Sequence, residues 1–324
     1  MLVPVLLFAL GLVLLIKGGD WFVDGAVGIA QRFHVSKLLI GATVVSIGTT
    51  LPEVMVSTTS AIGGHGEIAY GNAIGSVICN SALIAAISMA VRPGAVDRKS
   101  LRIPVAFFFI AAAAYALIAY TSGEFTRLVG ILLLAMFVAY MAVNILSMRK
   151  APAGAEPEET EAAAGEEQPL WKELALLVVG AALIAVGARL LVDNGVKIAA
   201  ALGVPESVIA LTFVALGTSL PELVTAITSL IKGQSDLSLG NVIGANVFNL
   251  VLVCGMSIAI APFHLPSSAT FLGRNASLTL ELPVMFLVML MLSVPALRKG
   301  KTYRAQGIAM LIIYAAFCAI QFTL

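Results

Sequence analysis

Gly48–Glu53 reads GTTLPE and Gly217–Glu222 reads GTSLPE, and in each surrounding apolar run the glutamate is the only charge. Pro52 and Pro221 carry no N–H, so the carbonyls of Gly48 and Gly217, four residues back, lose their helical donor. The glycines weaken the helix further. A carbonyl freed in hydrocarbon has to face protein, water or an ion. Thr49, Thr50, Thr218 and Ser219 set hydroxyl oxygens beside those carbonyls, next to Glu53 and Glu222. The expectation is two mirrored bends, each offering carbonyl, hydroxyl and carboxylate oxygen. A second repeated pattern follows each hexapeptide. In GNAIGSVICN, Asn72, Ser76 and Asn80 share one helix face; GNVIGANVFN repeats Asn241 and Asn249 but places Ala245 where the other has Ser76. Gly71 and Gly75 permit close approach of a neighbouring helix.

The four motifs contain no His or Lys and one cysteine, Cys79; His65 lies toward a loop end. That disfavours transition metals and anions. An all-oxygen donor set suits hard cations, and calcium accepts 6–8 such ligands in a flexible arrangement. Two carboxylates neutralise one divalent ion. Each isolated ionised glutamate at mid-bilayer costs roughly 2.5–3.5 kcal/mol on insertion scales. Such a pair should therefore hold compensating cations or protons, whichever ion is passing.

The elements that position these groups follow from composition. Of 324 residues, 60% are hydrophobic and 11% charged. Mean hydropathy is +1.01. A water-soluble chain of this length needs far more polar surface, so the sequence predicts an integral membrane protein. Ten apolar segments of spanning length lie near 2–27, 36–64, 67–91, 103–121, 125–148, 171–197, 205–232, 236–262, 277–296 and 303–323. The first lacks a basic n-region and an A-x-A-like cleavage site and is expected to stay as a span. Cys79, Cys254 and Cys318 show no paired spacing, which implies neither a disulfide framework nor a zinc site. Sorting Lys and Arg by side of the membrane puts Arg32, Arg92, Arg98, Lys232, Arg298 and their neighbours on one face. Only Arg127, Lys197 and Arg274 fall on the other. By the positive-inside rule both termini lie outside. Residues 149–170, rich in Ala, Pro and Glu and without periodicity, read as a disordered cytoplasmic linker.

The linker separates a first five-span half, 1–148, from a second, 171–324. Shifted by 169 residues the halves align without a gap: Asp24 meets Asp193, Glu53 meets Glu222, Asn72 meets Asn241, and Asn80 meets Asn249. Between Leu39–Asn80 and Val208–Asn249, 17 of 42 positions are identical, Gly, Pro, Glu and Asn among them. Five spans is an odd number, so the second half enters from the opposite side. Inverted repeats with interrupted helices at matching positions point to a transporter with its site at the repeat interface.

At these motifs the sequence resembles the calcium/cation antiporter family, in particular its prokaryotic sodium/calcium exchanger branch, over the whole chain. The resemblance implies an all-α membrane protein of ten helices in two inverted repeats, no enzyme, and no cofactor beyond its cargo ions. It implies Glu53 and Glu222 as central calcium ligands with Thr49 and Thr218. Sodium would use these with Thr50, Ser219, Ser76, the carbonyls of Ser46 and Ala215, and the region of Asn80 and Asn249. It also implies that the first and sixth spans slide past the rest. Potassium-dependent relatives carry Asp at the position of Asn249. Many relatives carry Ser at the position of Ala245, so one sodium pocket here lacks a hydroxyl. Each chain contains a complete site, so a monomer in the lipid bilayer is expected to function. No nucleic-acid partner is implied.

Three rivals stand beside sodium/calcium exchange. Two buried carboxyl groups could trade two protons for one calcium ion, although the G-N-x-x-E pattern of the proton-coupled branch is absent. A passive channel would show flux without a coupled gradient. An intramembrane aspartyl protease would need Gly-x-Gly-Asp and Tyr-Asp patterns, and neither occurs. Lys17, Asp20 and Asp24 are expected to pair or snorkel near the cytoplasmic surface, and Asp193 to be structural. His34 and His264 read as interfacial, and Trp21 and Trp171 as interfacial anchors.

Overall fold

The computed structural model describes residues 2–150, 169–202, 217–266 and 269–322. Within them the chain is almost entirely helical. The helices are α1 (Leu2–Arg32), α2 (Lys37–Ile62), α3 (from Gly66 through Asn80–Ala85 to Val91), α4 (Arg98–Thr121) and α5 (Arg127–Lys150). Then come α6 (Leu170–Ala201), α7 (Leu220–Ile231), α8 (Ser235–Ile260), α9 (Ser277–Lys299) and α10 (Arg304–Gln321). Among the described residues, nine helices are long and apolar enough to cross a membrane, and α7 is a shorter apolar one. The chain is a multi-pass membrane protein. The linker expected at 149–170 and the start of the seventh span lie largely outside the described residues. The first span extends to Arg32, five residues past its expected end at 27.

α8 is the most buried long helix, and α3, α4, α8 and α9 share the main core around Tyr70, Phe108, Phe248 and Met285. Leu15, Phe22, Val23 and Ala26 of α1 and Ile184 and Ala188 of α6 belong to a separate, smaller core. These two helices run antiparallel and pack backbone to backbone. A methyl on Gly11 would lie 2.8 Å from the Gly187 carbonyl oxygen, and one on Gly18 would lie 2.9 Å from that of Gly180. Gly11, Gly18 and Gly25, seven residues apart, all face α6. Without side chains at the contact, two helices can approach at van der Waals distance, which is what drives association in lipid.

Among the described residues, four helices contain a π-helical turn: Gly41–Val45 in α2, Asn80–Ala85 in α3, Asn249–Val253 in α8 and Ser277–Glu281 in α9. A π turn carries one extra residue and leaves a carbonyl to be satisfied from outside the helix. In α2 the Tyr140 hydroxyl donates to the Ala42 carbonyl at 2.7 Å. The turns in α3 and α8 begin at Asn80 and Asn249, which match at the 169-residue offset.

At the ends of the helices, Glu124–Phe125 pairs antiparallel with Phe263–His264, and Ala95 forms an isolated bridge with Lys301. A small hairpin, Thr270–Phe271 with Arg274–Asn275, precedes α9. Asp20 and Asp24 of α1 both pair with Lys232, the residue after α7, at 3.7 and 2.6 Å. Arg32 pairs with the buried Glu173 of α6 at 3.0 Å.

Candidate cation site

The two hexapeptides adopt different backbones, which departs from the mirrored bends expected of them. Pro52 lies inside a continuous helix, Ser46–Ile62, with its irregularity displaced one turn earlier into the π turn. Pro221 occupies the first turn of α7, after Thr218 and Ser219 in a turn, so the second chain segment does break there. Packing contributes to the first case. α2 is clamped against α8, where a side chain on Gly244 would collide with Ser46 and Ala42, and this contact supports the helix on the N-terminal side of its proline. Glu222 consequently sits at the N-terminal end of α7, where the helix dipole favours negative charge by about 0.3–1 kcal/mol. Glu53 sits mid-helix without that benefit.

Both glutamates are fully buried. None of their four carboxyl oxygens has a hydrogen-bond partner among the described residues. The two carboxyl groups lie within electrostatic reach of each other, and Thr49 and Thr50 face Glu222. Thr50 Oγ1, Ser219 Oγ and both side-chain polar atoms of Asn80 and Asn249 are likewise buried and unpartnered. Buried polar atoms are nearly always paired. Unpaired oxygens on two buried acids, with Thr50 beside Glu222, are groups that a cation or proton would partner.

Ser76 and Ser46 are buried, Thr49 is 1% exposed and Thr218 is half-buried. The Ser46 hydroxyl donates to the Gly41 carbonyl at 2.8 Å and also lies 3.0 Å from the Asn241 carbonyl oxygen. Ala215 lies outside the described residues. Among the described residues no cluster of three or more His, Cys, Asp or Glu forms, so neutral oxygens accompany the two carboxylates. A cavity of about 10 Å³ is lined by Gly48, Thr49 and Pro52 of α2, Pro221 of α7, Phe22 of α1 and Ala181, Ile184 and Ala185 of α6. Phe22 covers Gly48 and Val192 of α6 covers Gly217, each so closely that a methyl on the glycine would lie 2.9 Å from the covering side chain. The α1–α6 pair thus forms one wall of this site.

Some residues that shape the site are absent from the sequence-derived ligand set. Asn241 Oδ1 accepts from Thr49 Oγ1 at 3.2 Å, and Asn72 Oδ1 accepts from Thr218 Oγ1 at the same distance. Asn72 Nδ2 donates to Ser57 Oγ at 2.8 Å and to the Glu53 carbonyl at 3.4 Å. Asn72 and Asn241 stand out in sequence as repeated polar residues on one helix face. Which hydroxyl each would meet depends on inter-helix contacts that spacing does not encode. Ser57, one turn after Glu53, carried no comparable signal.

Fold and site together define a polytopic helical membrane protein with a buried, oxygen-lined pair of acids, the kind of centre that handles hard cations. The sodium/calcium exchanger protein family matches residues 3–146 and 172–323. The chain belongs to that family. It is 35% identical to the inner membrane protein YrbG of Escherichia coli, with 88% of each chain covered. It is 28% identical to the sodium/calcium exchanger MaX1 of Methanosarcina acetivorans, with 98% of each covered. The structure superposes on the sodium-calcium exchanger NCX_Mj with a TM-score of 0.81 at 34% identity, covering 98% of both chains.

Proposed function

We propose that this chain is a secondary active antiporter that exchanges sodium for calcium by alternating access and does not require potassium. The observation that carries the proposal is the pair of fully buried acids, Glu53 and Glu222, within electrostatic reach of each other and accompanied by threonine hydroxyls. One calcium ion neutralises both carboxylates. Releasing it into water without replacement would leave two uncompensated charges in a low-dielectric site, so another cation must take its place before the empty-handed return. That requirement couples the two fluxes. The names of MaX1 and NCX_Mj, both sodium/calcium exchangers, support sodium as the coupling ion.

In this reading calcium is held by Glu53, Glu222, Thr49 and Thr218. Sodium ions use these groups with Thr50, Ser219, Ser76, the carbonyls of Ser46 and Ala215, and the amides of Asn80 and Asn249. Asn249 is neutral where potassium-dependent relatives carry Asp, so the site holds two acids rather than three and has no need of a further cation.

The halves 1–148 and 171–324 are read as inverted repeats. Several paired features support this: Thr49 meets Asn241 as Thr218 meets Asn72, and π turns begin at both Asn80 and Asn249. Ala95 pairs with Lys301, and its counterpart at the 169-residue offset, His264, pairs with Glu124. The charge distribution supports both termini outside and residues 149–170 in the cytoplasm. Alternation follows from the α1–α6 pair moving against the remaining helices. Its glycine-lined contact and its Phe22 and Val192 covers over the site support that role.

Glu222→Gln removes one carboxylate while keeping shape. Calcium flux into proteoliposomes is expected to vanish with the protein still monodisperse; wild-type flux in that variant would overturn the site.

A further inference from the structure

An α-helix turns by about 100° per residue, so the one extra residue of a π turn rotates everything downstream by that angle. The π turn Gly41–Val45 stands just before Ser46–Glu53 and sets which face that segment presents to the interior. With the turn in place, Ser46, Thr49, Thr50 and Glu53 are buried, and Ile47, Leu51 and Met55 are exposed. Thr49 and Thr50 lie beside Glu222, and Glu53 is within electrostatic reach of it. Were the turn to relax to an α-helix, Glu53 would swing to the direction Val54 now takes, into the apolar core. Thr50 would swing to that of the exposed Leu51.

The turn is held from two sides. α8 presses on one, where a methyl on Gly41 would lie 2.4 Å from the Leu237 carbonyl oxygen and one on Gly244 would lie 2.5 Å from that of Ala42. That pressure limits how far α2 can move without choosing between the two registers. In an α-helix the Ser46 amide would donate to the Ala42 carbonyl; here it donates to the Gly41 and Thr43 carbonyls. The fully buried Tyr140 of α5 takes its place, donating its hydroxyl to the Ala42 carbonyl at 2.7 Å. Phe107 and Phe248 hold the tyrosine ring edge-on, with centroids 5.3 and 5.8 Å away. We infer that Tyr140 is a positioning residue for Glu53: its hydroxyl holds the π turn and so fixes the rotation at which α2 presents Glu53 and Thr50 to the site. This rests on the calcium-binding reading above, and Tyr140 itself touches no ion. The residue matching Tyr140 is Ala309, and the half without the phenol is the one whose helix starts afresh at Leu220.

Tyr140→Phe keeps the ring with its edge contacts and removes only the hydroxyl. Tyr120→Phe is the matched control, because the Tyr120 hydroxyl donates to the Leu278 carbonyl in the π turn of α9, which carries none of the proposed ligands. Calorimetric calcium titration of the purified full-length protein should show about tenfold weaker binding in Tyr140→Phe, as for the loss of an outer-shell partner. Tyr120→Phe should bind like wild type. Hydrogen exchange read by mass spectrometry without calcium should be faster across 41–50 in Tyr140→Phe and unchanged in the rest of the core. Calcium binding in Tyr140→Phe equal to wild type, or weakened no more than in Tyr120→Phe, would overturn the positioning assignment while leaving the calcium site intact. Weaker binding with unchanged exchange across 41–50 would overturn it as well. No calcium binding by wild type would overturn the underlying reading and this assignment with it.

Discussion

The first and second halves carry the same acids on different scaffolds. The first half carries Ser46, Ser57 and Ser76; at the matching positions the second carries Ala215, Ala226 and Ala245. Three hydroxyls in one half are three methyls in the other. The backbones differ as well, with Glu53 inside an unbroken helix and Glu222 in the first turn of a new one. The second half offers charge stabilisation by a helix terminus where the first offers neutral oxygen. Under the proposed two-fold relation the two carboxylates and two threonines are common to both halves, and the other proposed ligand positions differ. Under the proposed function the calcium site is close to symmetric, whereas the sodium positions are unequal.

The largest expected effect tests the shared part of that comparison. Glu53→Gln should abolish calcium binding as fully as Glu222→Gln, by at least about a hundredfold, beyond what loss of an outer-shell partner does. A variant that retained binding in one half alone would show that the acids are not equivalent. Calorimetric calcium titration reads this directly.

Next in size is the glycine contact between α1 and α6. Gly18→Val places a branched side chain 2.8 Å from the Ile184 amide nitrogen, and Gly187→Val meets the Leu15 amide at 2.9 Å. Each should cost about 1–3 kcal/mol of stability through overpacking. The two should lower the thermal midpoint equally, and a marked difference between them would break the proposed two-fold relation of the helices.

The divergent hydroxyls predict smaller changes in opposite directions. Ala245→Ser should lower the sodium concentration for half-maximal exchange by about threefold, the worth of one modest polar contact. Ser76→Ala should raise it similarly. An unchanged sodium dependence in Ala245→Ser would mean that the missing hydroxyl is immaterial.

The smallest effect concerns the flanking ion pairs. Asp24 bonds across to Lys232 beyond α7, whereas its counterpart Asp193 bonds along its own helix to Arg189, in an exposed pair. Part-exposed pairs contribute about 0–1 kcal/mol. Lys232→Gln, which unties α1 from α7, should alter the maximal exchange rate by up to about threefold. Arg189→Gln, which unties nothing, should leave it unchanged.

Much of this architecture could be read from residue order. Apolar run lengths located the spans, and the 169-residue self-match located both acids and their neighbouring oxygens. Glu53, Glu222, Thr49 and Asn80 are buried together because hydrocarbon leaves isolated polar groups nowhere else to go. The pairing of Asp20 and Asp24 was also expected from their place late in α1, though the partner, Lys232, is 208 residues from Asp24. Other features depend on which helices meet. The helix continues past Pro52 where Gly244 lets α8 press against α2, and a local propensity argument places a bend there instead. The π turns at Asn80 and Asn249 have no residue signature of their own. The Thr49–Asn241 and Thr218–Asn72 contacts join residues 192 and 146 apart, a pairing that only the folded interface specifies.

The most direct test of the exchanger assignment is radioactive calcium uptake into proteoliposomes preloaded with sodium and diluted into sodium-free, potassium-free buffer. A parallel set carries an outward proton gradient with sodium absent. Uptake driven by the sodium gradient alone is the predicted result. Uptake that follows the proton gradient and ignores sodium would contradict it, and would make Glu53 and Glu222 carriers of protons in exchange for calcium.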